Sequence, residues 1–142
     1  MTQEDKKLLM TDLCARLPFG VKVHIKGLDY EFDSKLVEIY NGTGCTVKVS
    51  SVNDMVYDLD EVRPYLRPLD SMTDEEKNDI LYILNFEFYV DDDFALCAND
   101  DRHRIRLSLI RKYMAWLYRH HFDYQDLIDK GLAIEAPTEM YK

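Results

Sequence analysis

Apolar residues recur at helical spacing through Leu9, Met10, Leu13, Cys14 and Leu17, which gives an N-terminal helix one apolar face. Thr2 with Asp5 three residues on is a capping-box pattern at its start, and Pro18 and Gly20 stop it. The period then changes to two. Val21, Val23 and Ile25 alternate with Lys22, His24 and Lys26, and a longer extended run ends at Leu36–Tyr40. Asn41-Gly42-Thr43-Gly44 is the strongest turn signal, because Asn-Gly supplies the positive φ of a tight hairpin. Val47 and Val49 form the return strand, and Asn53-Asp54 separates it from a last short strand around Met55-Val56-Tyr57. Four or five short strands without an intervening helix predict an antiparallel meander curling toward a small SH3-like partial barrel. Pro64 and Pro68 within Arg63–Pro68 argue against a continuous helix or a central strand, so this stretch reads as a rigid connector.

Helical spacing returns after residue 70. Thr73 with Glu76 is a capping box, acids fill the first turn, and Ile80, Leu81, Ile83 and Leu84 supply a buried stripe. Phe86–Val90 alternates and leans toward a strand. From about Asp101 to His120 runs the best-defined helix. Its apolar residues, Ile105 and Leu107 through Trp116 to Tyr118, sweep about 220° of its circumference, so the helix is expected to be mostly buried. Arg104, Arg111, Lys112 and Arg119 form a basic ridge on the remaining arc. A shorter helix is expected over Tyr124–Lys130, ending at Gly131, and Ala136-Pro137 begins a tail that docks on the surface. The expected architecture is α+β: residues 1–70 form a helix and small sheet, and residues 71–142 a mainly helical part packed on it.

Charge sharpens this picture. The 142 residues carry 18 basic and 27 acidic side chains, a net −9, which argues against a general nucleic-acid binder. The distribution says more than the total. Residues 71–101 hold ten acids and only Lys77, a local −9, whereas residues 102–122 hold six basic residues and no acid. An acidic stretch running into a basic one either neutralises itself by packing side by side or presents two opposite patches. The candidate partner-binding residues are Asp91, Asp92, Asp93, Asp100 and Asp101 on the acidic side and Arg104, Arg111 and Arg119 on the basic side.

Motifs for chemistry are sparse. The Asp91–Asp93 and Asn99–Asp101 clusters lack the turn glycine of a calcium loop and are interrupted by Phe94–Cys97, so they read as a solvated acidic loop. His103, His120 and His121 are candidate ligands, and His121 with Asp123 a candidate base and orienter. His103 and His121 stand about 27 Å apart along an ideal helix and cannot share a metal. Lys22, His24, Lys26 and Tyr30 suggest a small basic-aromatic face for nucleic acid, but Asp29, Glu31, Asp33 and Glu38 lie among them and favour a mixed solvent face. No nucleophile elbow, phosphate-binding glycine loop or zinc-protease motif is present, so the expectation is no catalytic residue, no metal and no cofactor. Three widely separated cysteines, Cys14, Cys45 and Cys97, fit a reducing cytoplasm with thiols as small core residues. The polar start Met1–Lys7 predicts no secretory signal, and no apolar window is long enough for a membrane span.

Tyr65–Glu76 and Trp116–Tyr124, followed by Leu127-Ile128 and Gly131-Leu132-Ala133, together with Asp12–Pro18 and Ala136-Pro137, resemble in the same order a family of small uncharacterised proteins encoded by phages, prophages and mobile elements of gut Bacteroidetes. The resemblance implies an accessory product acting in a bacterial cytoplasm and binding a host or phage protein, with no activity to transfer. The functional expectation is therefore a non-enzymatic interaction protein that uses its acidic segment, in a narrower form an inhibitor of host defence. The alternative is a nucleic-acid-associated module using the arginine ridge.

Overall fold

A computed structural model describes residues 1–41, 45–50, 55–99 and 106–142. Helix α1 (Gln3–Arg16) begins at Thr2, whose hydroxyl accepts the Asp5 N–H while the Asp5 carboxylate accepts the Thr2 N–H. A 3-10 turn over Leu17–Phe19 and Gly20 at φ 72° end it, as Pro18 and Gly20 predict. The buried face is Leu9, Asp12, Leu13 and Arg16, and Cys14 is exposed. Cys45 and Cys97 are part-buried and Cys45 packs against the core, whereas exposed Cys14 departs from the expectation of thiols as small core residues.

Strands β1 (Lys22–Lys26), β2 (Glu31–Asn41), β3 (Cys45–Val49) and β4 (Tyr57–Asp58) form the antiparallel meander. The Asn41-Gly42-Thr43-Gly44 turn lies outside the described residues except for Asn41, yet Asn41 pairs with Cys45 across it. β2 serves two partners. Its first half pairs with β1 and its second with β3, and a register shift between Leu36 and Glu38 separates the two. Such a bulge bends the strand, burying Leu36 while leaving Val37 exposed.

The largest correction concerns Arg63–Pro68. It is no connector but most of β5 (Val62–Pro68), an interior strand. β5 is antiparallel to β1 through Val62, Arg63 and Pro64, and parallel to two short late strands, β8 (Phe122–Asp123) and β9 (Ile134–Glu135). Pro64 stands at the end of the β1 ladder and Pro68 at the end of the strand, so the missing N–H groups interrupt neither ladder. Arg67 N–H, between them, donates to His121 O at 2.7 Å. The ladders run β4-β3-β2-β1-β5-β8, with β9 also on β5, and no recorded pair closes that path among the described residues.

Helix α2 (Asp74–Ile83) starts at the Thr73–Glu76 capping box. Strands β6 (Phe88–Val90) and β7 (Leu96–Ala98) make a separate hairpin, and α3 covers Leu107–Arg119. The predicted first turn of α3, with Asp101 and Arg104, lies outside the described residues. The helix expected over Tyr124–Lys130 is instead a series of turns. The buried Asp123 carboxylate accepts the N–H groups of Gln125, Leu127 and Ile128, and Asp126 sits at φ 59°, which breaks helical geometry.

Two cores result. Leu9 and Leu13 of α1 pack on Val23, Ile25, Val47 and Leu66 of the sheet, completed by Leu127, Leu132 and Ala133. Ile80, Leu84, Phe88, Leu109, Trp116 and Phe122 form the second, under α2, α3 and the hairpin. Between them lies a fully buried ion pair. Arg16 Nε donates to Asp12 Oδ2 at 2.7 Å, and Nη2 donates to Phe122 O at 2.7 Å. Among the described residues no helix is long and apolar enough to cross a membrane.

Candidate protein-binding surface

The acidic stretch folds as α2, a strained turn and the β6–β7 hairpin. α2 ends when Asn85 N–H bonds to Tyr82 O (3.1 Å) and Phe86 N–H to Leu81 O (3.0 Å), the pair of bonds that closes a Schellman motif. Asn85, at φ 55°, tolerates the left-handed position that this stop requires. Phe86 follows at φ 58°, where a bulky residue costs about 1–2 kcal/mol. Its carbonyl accepts from Asn99 Nδ2, Asn99 N–H donates to Glu87 O at 3.0 Å, and its ring meets Tyr82 edge-on at 4.8 Å. The strain thus holds an aromatic side chain in solvent: Phe86 is 54% exposed and Tyr82 69%.

Asp91 is a structural residue of the hairpin tip. Its carboxylate accepts the N–H groups of Asp93 and Ala95, both at 2.9 Å, and the Cys97 thiol at 3.4 Å. The backbone donor at Ala95 leads in holding its pKa below the usual carboxylate value. Asp92 and Asp93 are exposed and have no ion pair among the described residues. Asp100 and Asp101 lie outside them.

On the basic side, Arg106 Nη2 donates to Glu87 Oε2 at 2.8 Å, tying the start of α3 to the start of the hairpin. Among the described residues that ion pair links the acidic and basic segments; Arg111 is exposed, and Arg119 lies over the Phe19 ring at 5.6 Å. Arg104 lies outside the described residues. α3 is less buried than its apolar sweep predicts. Leu109, Tyr113, Trp116 and Leu117 face the core, whereas Leu107 is 84% exposed and Ile110 38%. The sequence signal for this was Leu107, Ile110 and Met114 at i, i+3 and i+7, a second stripe beside the core stripe. Phe86 and Tyr82 carried a weaker signal, a helix stop followed by an aromatic run.

Among the described residues the histidines do not converge, and His103 lies outside them. His120 stacks on Trp116 at 4.2 Å, and burial lowers its pKa. His121, at φ 65°, stacks on Tyr141 at 3.6 Å, and burial, with the positive charge of Arg16, pushes it down to about 4. Its Nδ1 is buried without a protein partner, and Asp123 is engaged with backbone N–H groups, so the two do not form a base and orienter. On the sheet, His24 is held between Asp33 (2.7 Å) and Glu31 (2.8 Å), and Tyr30 donates to Glu61, which makes that face mixed in charge. A cleft of about 450 Å³ lies between Arg67, Thr73, His120 and Tyr141, but both Arg67 Nη atoms are bonded to Glu76, at 2.8 and 2.7 Å. Among the described residues no group of three His, Cys, Asp or Glu side chains is placed to hold a metal.

No protein-family model matches the chain, and neither a curated protein nor a solved structure is significantly similar to it.

Proposed function

We propose that the chain is a non-enzymatic accessory protein of a phage or mobile element that acts in the bacterial cytoplasm by binding another protein through the acidic tip of the β6–β7 hairpin. The observation that carries this reading is the division of labour at that tip: Asp91 is bonded into the turn while Asp92 and Asp93 beside it are exposed and make no ion pair among the described residues. A pair of exposed carboxylates suits a basic protein surface, where complementary charge speeds encounter and selects the partner. In the narrower form, that basic surface belongs to a host defence protein that normally holds nucleic acid. The non-enzymatic part rests on His120, His121 and Asp123 each being engaged with a different neighbour. The SH3-like reading of the sheet rests on the bent β2 and on β5, which returns beside β1 after a 3-10 turn at Leu59–Glu61.

The test is affinity capture from host lysate with the wild type and with Asp92→Asn/Asp93→Asn, which leaves the Asp91 staple intact. The expected result is a captured protein that is lost in the double variant and released by added nucleic acid. Undiminished capture by the double variant would remove the acidic-tip reading. The arginine ridge remains the alternative because Arg111 and Arg119 are exposed on a helix with no acid. Oligonucleotide binding that weakens steeply with salt and is abolished in Arg111→Glu/Arg119→Glu would favour it instead.

A further inference from the structure

Four exposed large apolar side chains of the helical part, Tyr82, Phe86, Leu107 and Ile110, lie on the two segments joined by one ion pair. Phe86 adjoins Glu87 in the chain and contacts Tyr82, while Leu107 adjoins Arg106 and shares a helix face with Ile110. Isolated exposed apolar residues are ordinary, but several gathered at one place, one of them held there by an unfavourable backbone conformation, mark a surface that is covered in use.

Among the described residues the exposed charges on the two helices beside this patch are opposite in sign. On α2, Glu75, Asp79 and Tyr82 fall at i, i+4 and i+7, so two exposed acids flank the exposed tyrosine. On α3, Leu107, Ile110 and Arg111 fall at i, i+3 and i+4, so an exposed arginine flanks the exposed aliphatic pair. Among the described residues Glu75, Asp79 and Arg111 make no ion pair. A surface with an apolar middle, one acidic side and one basic side is complementary to itself after a two-fold rotation, which is the requirement of an isologous dimer interface. We propose that this patch is the contact between two copies of the chain, with the Tyr82–Asp79 face of α2 in one copy against the Leu107–Arg111 face of α3 in the other, twice over. Asp92 and Asp93 take no part, so the proposal goes beyond the acidic-tip reading and stands or falls separately from it.

Sedimentation equilibrium of the full chain tests this. The expected species has twice the 16.8 kDa chain mass. Leu107→Glu and, independently, Phe86→Ser convert it to the monomer with unchanged far-UV circular dichroism, since both side chains are solvent-exposed in one copy. Asp79→Lys and Arg111→Glu each weaken the dimer about tenfold or more, because like charges then face each other twice. Mixing those two single variants restores association, since each reversed charge meets its opposite in the other chain. A monomer at every concentration up to about a millimolar, well above the dissociation constant of a specific dimer, would overturn the proposal. So would a dimer indifferent to Leu107→Glu and Phe86→Ser, or a mixture no tighter than its components.

Discussion

Arg16→Met tests what the buried ion pair contributes. Both side chains are fully buried, and the substitution deletes the bonds to Asp12 Oδ2 and Phe122 O. Asp12 then keeps one polar side-chain contact, the 3.3 Å bond from Gln125 Nε2. Breaking a buried pair costs about 3–5 kcal/mol, because the surviving charge is stranded in a poorly solvated site. Against this, Arg16 Nη1 is itself buried without a protein partner, and its removal returns about 1 kcal/mol. The net expectation is a loss of about 2–4 kcal/mol, a fall of about 1–2 M in urea midpoint at a slope near 2 kcal/mol/M. The buried Trp116 reports the transition by fluorescence. Asp12→Leu/Arg16→Met, which removes both charges, should recover to within about 1 kcal/mol of wild type. Acidity gives a second arm. Burial already raises the Asp12 pKa with Arg16 present, so the folded state holds that proton more tightly than the unfolded one, and this group's contribution falls as pH rises above its ordinary 3.8. Without Arg16 the rise is larger, and the penalty, compared at equal pH, should shrink between pH 7 and 5. A cost below about 1 kcal/mol, a double variant no better than the single, or a penalty flat with pH would refute the reasoning.

His121 carries the opposite pH signature. Its pKa lies near 4 in the folded chain against 6.5 ordinarily, so its contribution is complete above pH 6.5 and is lost as pH falls toward 4; thermal unfolding should show this slope, and His121→Phe should flatten it. His24, raised chiefly by its bond to Asp33, contributes below pH 6.5 and loses that contribution as pH rises through its folded value, so NMR titration should place His24 above and His121 below the ordinary midpoint. Asp123→Ala removes three backbone partners and should cost about 2–3 kcal/mol in urea unfolding. Iodoacetamide should label exposed Cys14 well before Cys97, whose thiol is pushed up by desolvation and by Asp91; equal labelling rates would contradict this.

What the sequence made legible was local. Both capping boxes and the Gly20 stop follow from residues within a few positions of each other. β8 and β9 are two residues each and gain strand character only by lying against β5, more than fifty residues earlier, so no periodicity announces them. For the same reason Arg63–Pro68 read as a connector: its prolines looked prohibitive until the partners that tolerate them were in place. The acidic cluster was visible, but the sequence could not divide Asp91, which is consumed by the turn, from Asp92 and Asp93. The exposed Leu107 and Ile110 were hidden by their own hydrophobicity, since an apolar sweep records composition around a helix and not which neighbours arrive to cover it.

The place of β5 governs when the protein can finish folding. Its antiparallel partner β1 is made first and its parallel partners β8 and β9 some fifty residues later, and Leu127, Leu132 and Ala133 close the core beneath α1. At a ribosome adding about 5–20 residues per second, the sheet therefore waits several seconds with one edge open. The nascent chain leaves Leu66 and its neighbours half-covered until residues 122–136 have been made, and over that interval the edge of β5 is an unpaired strand edge.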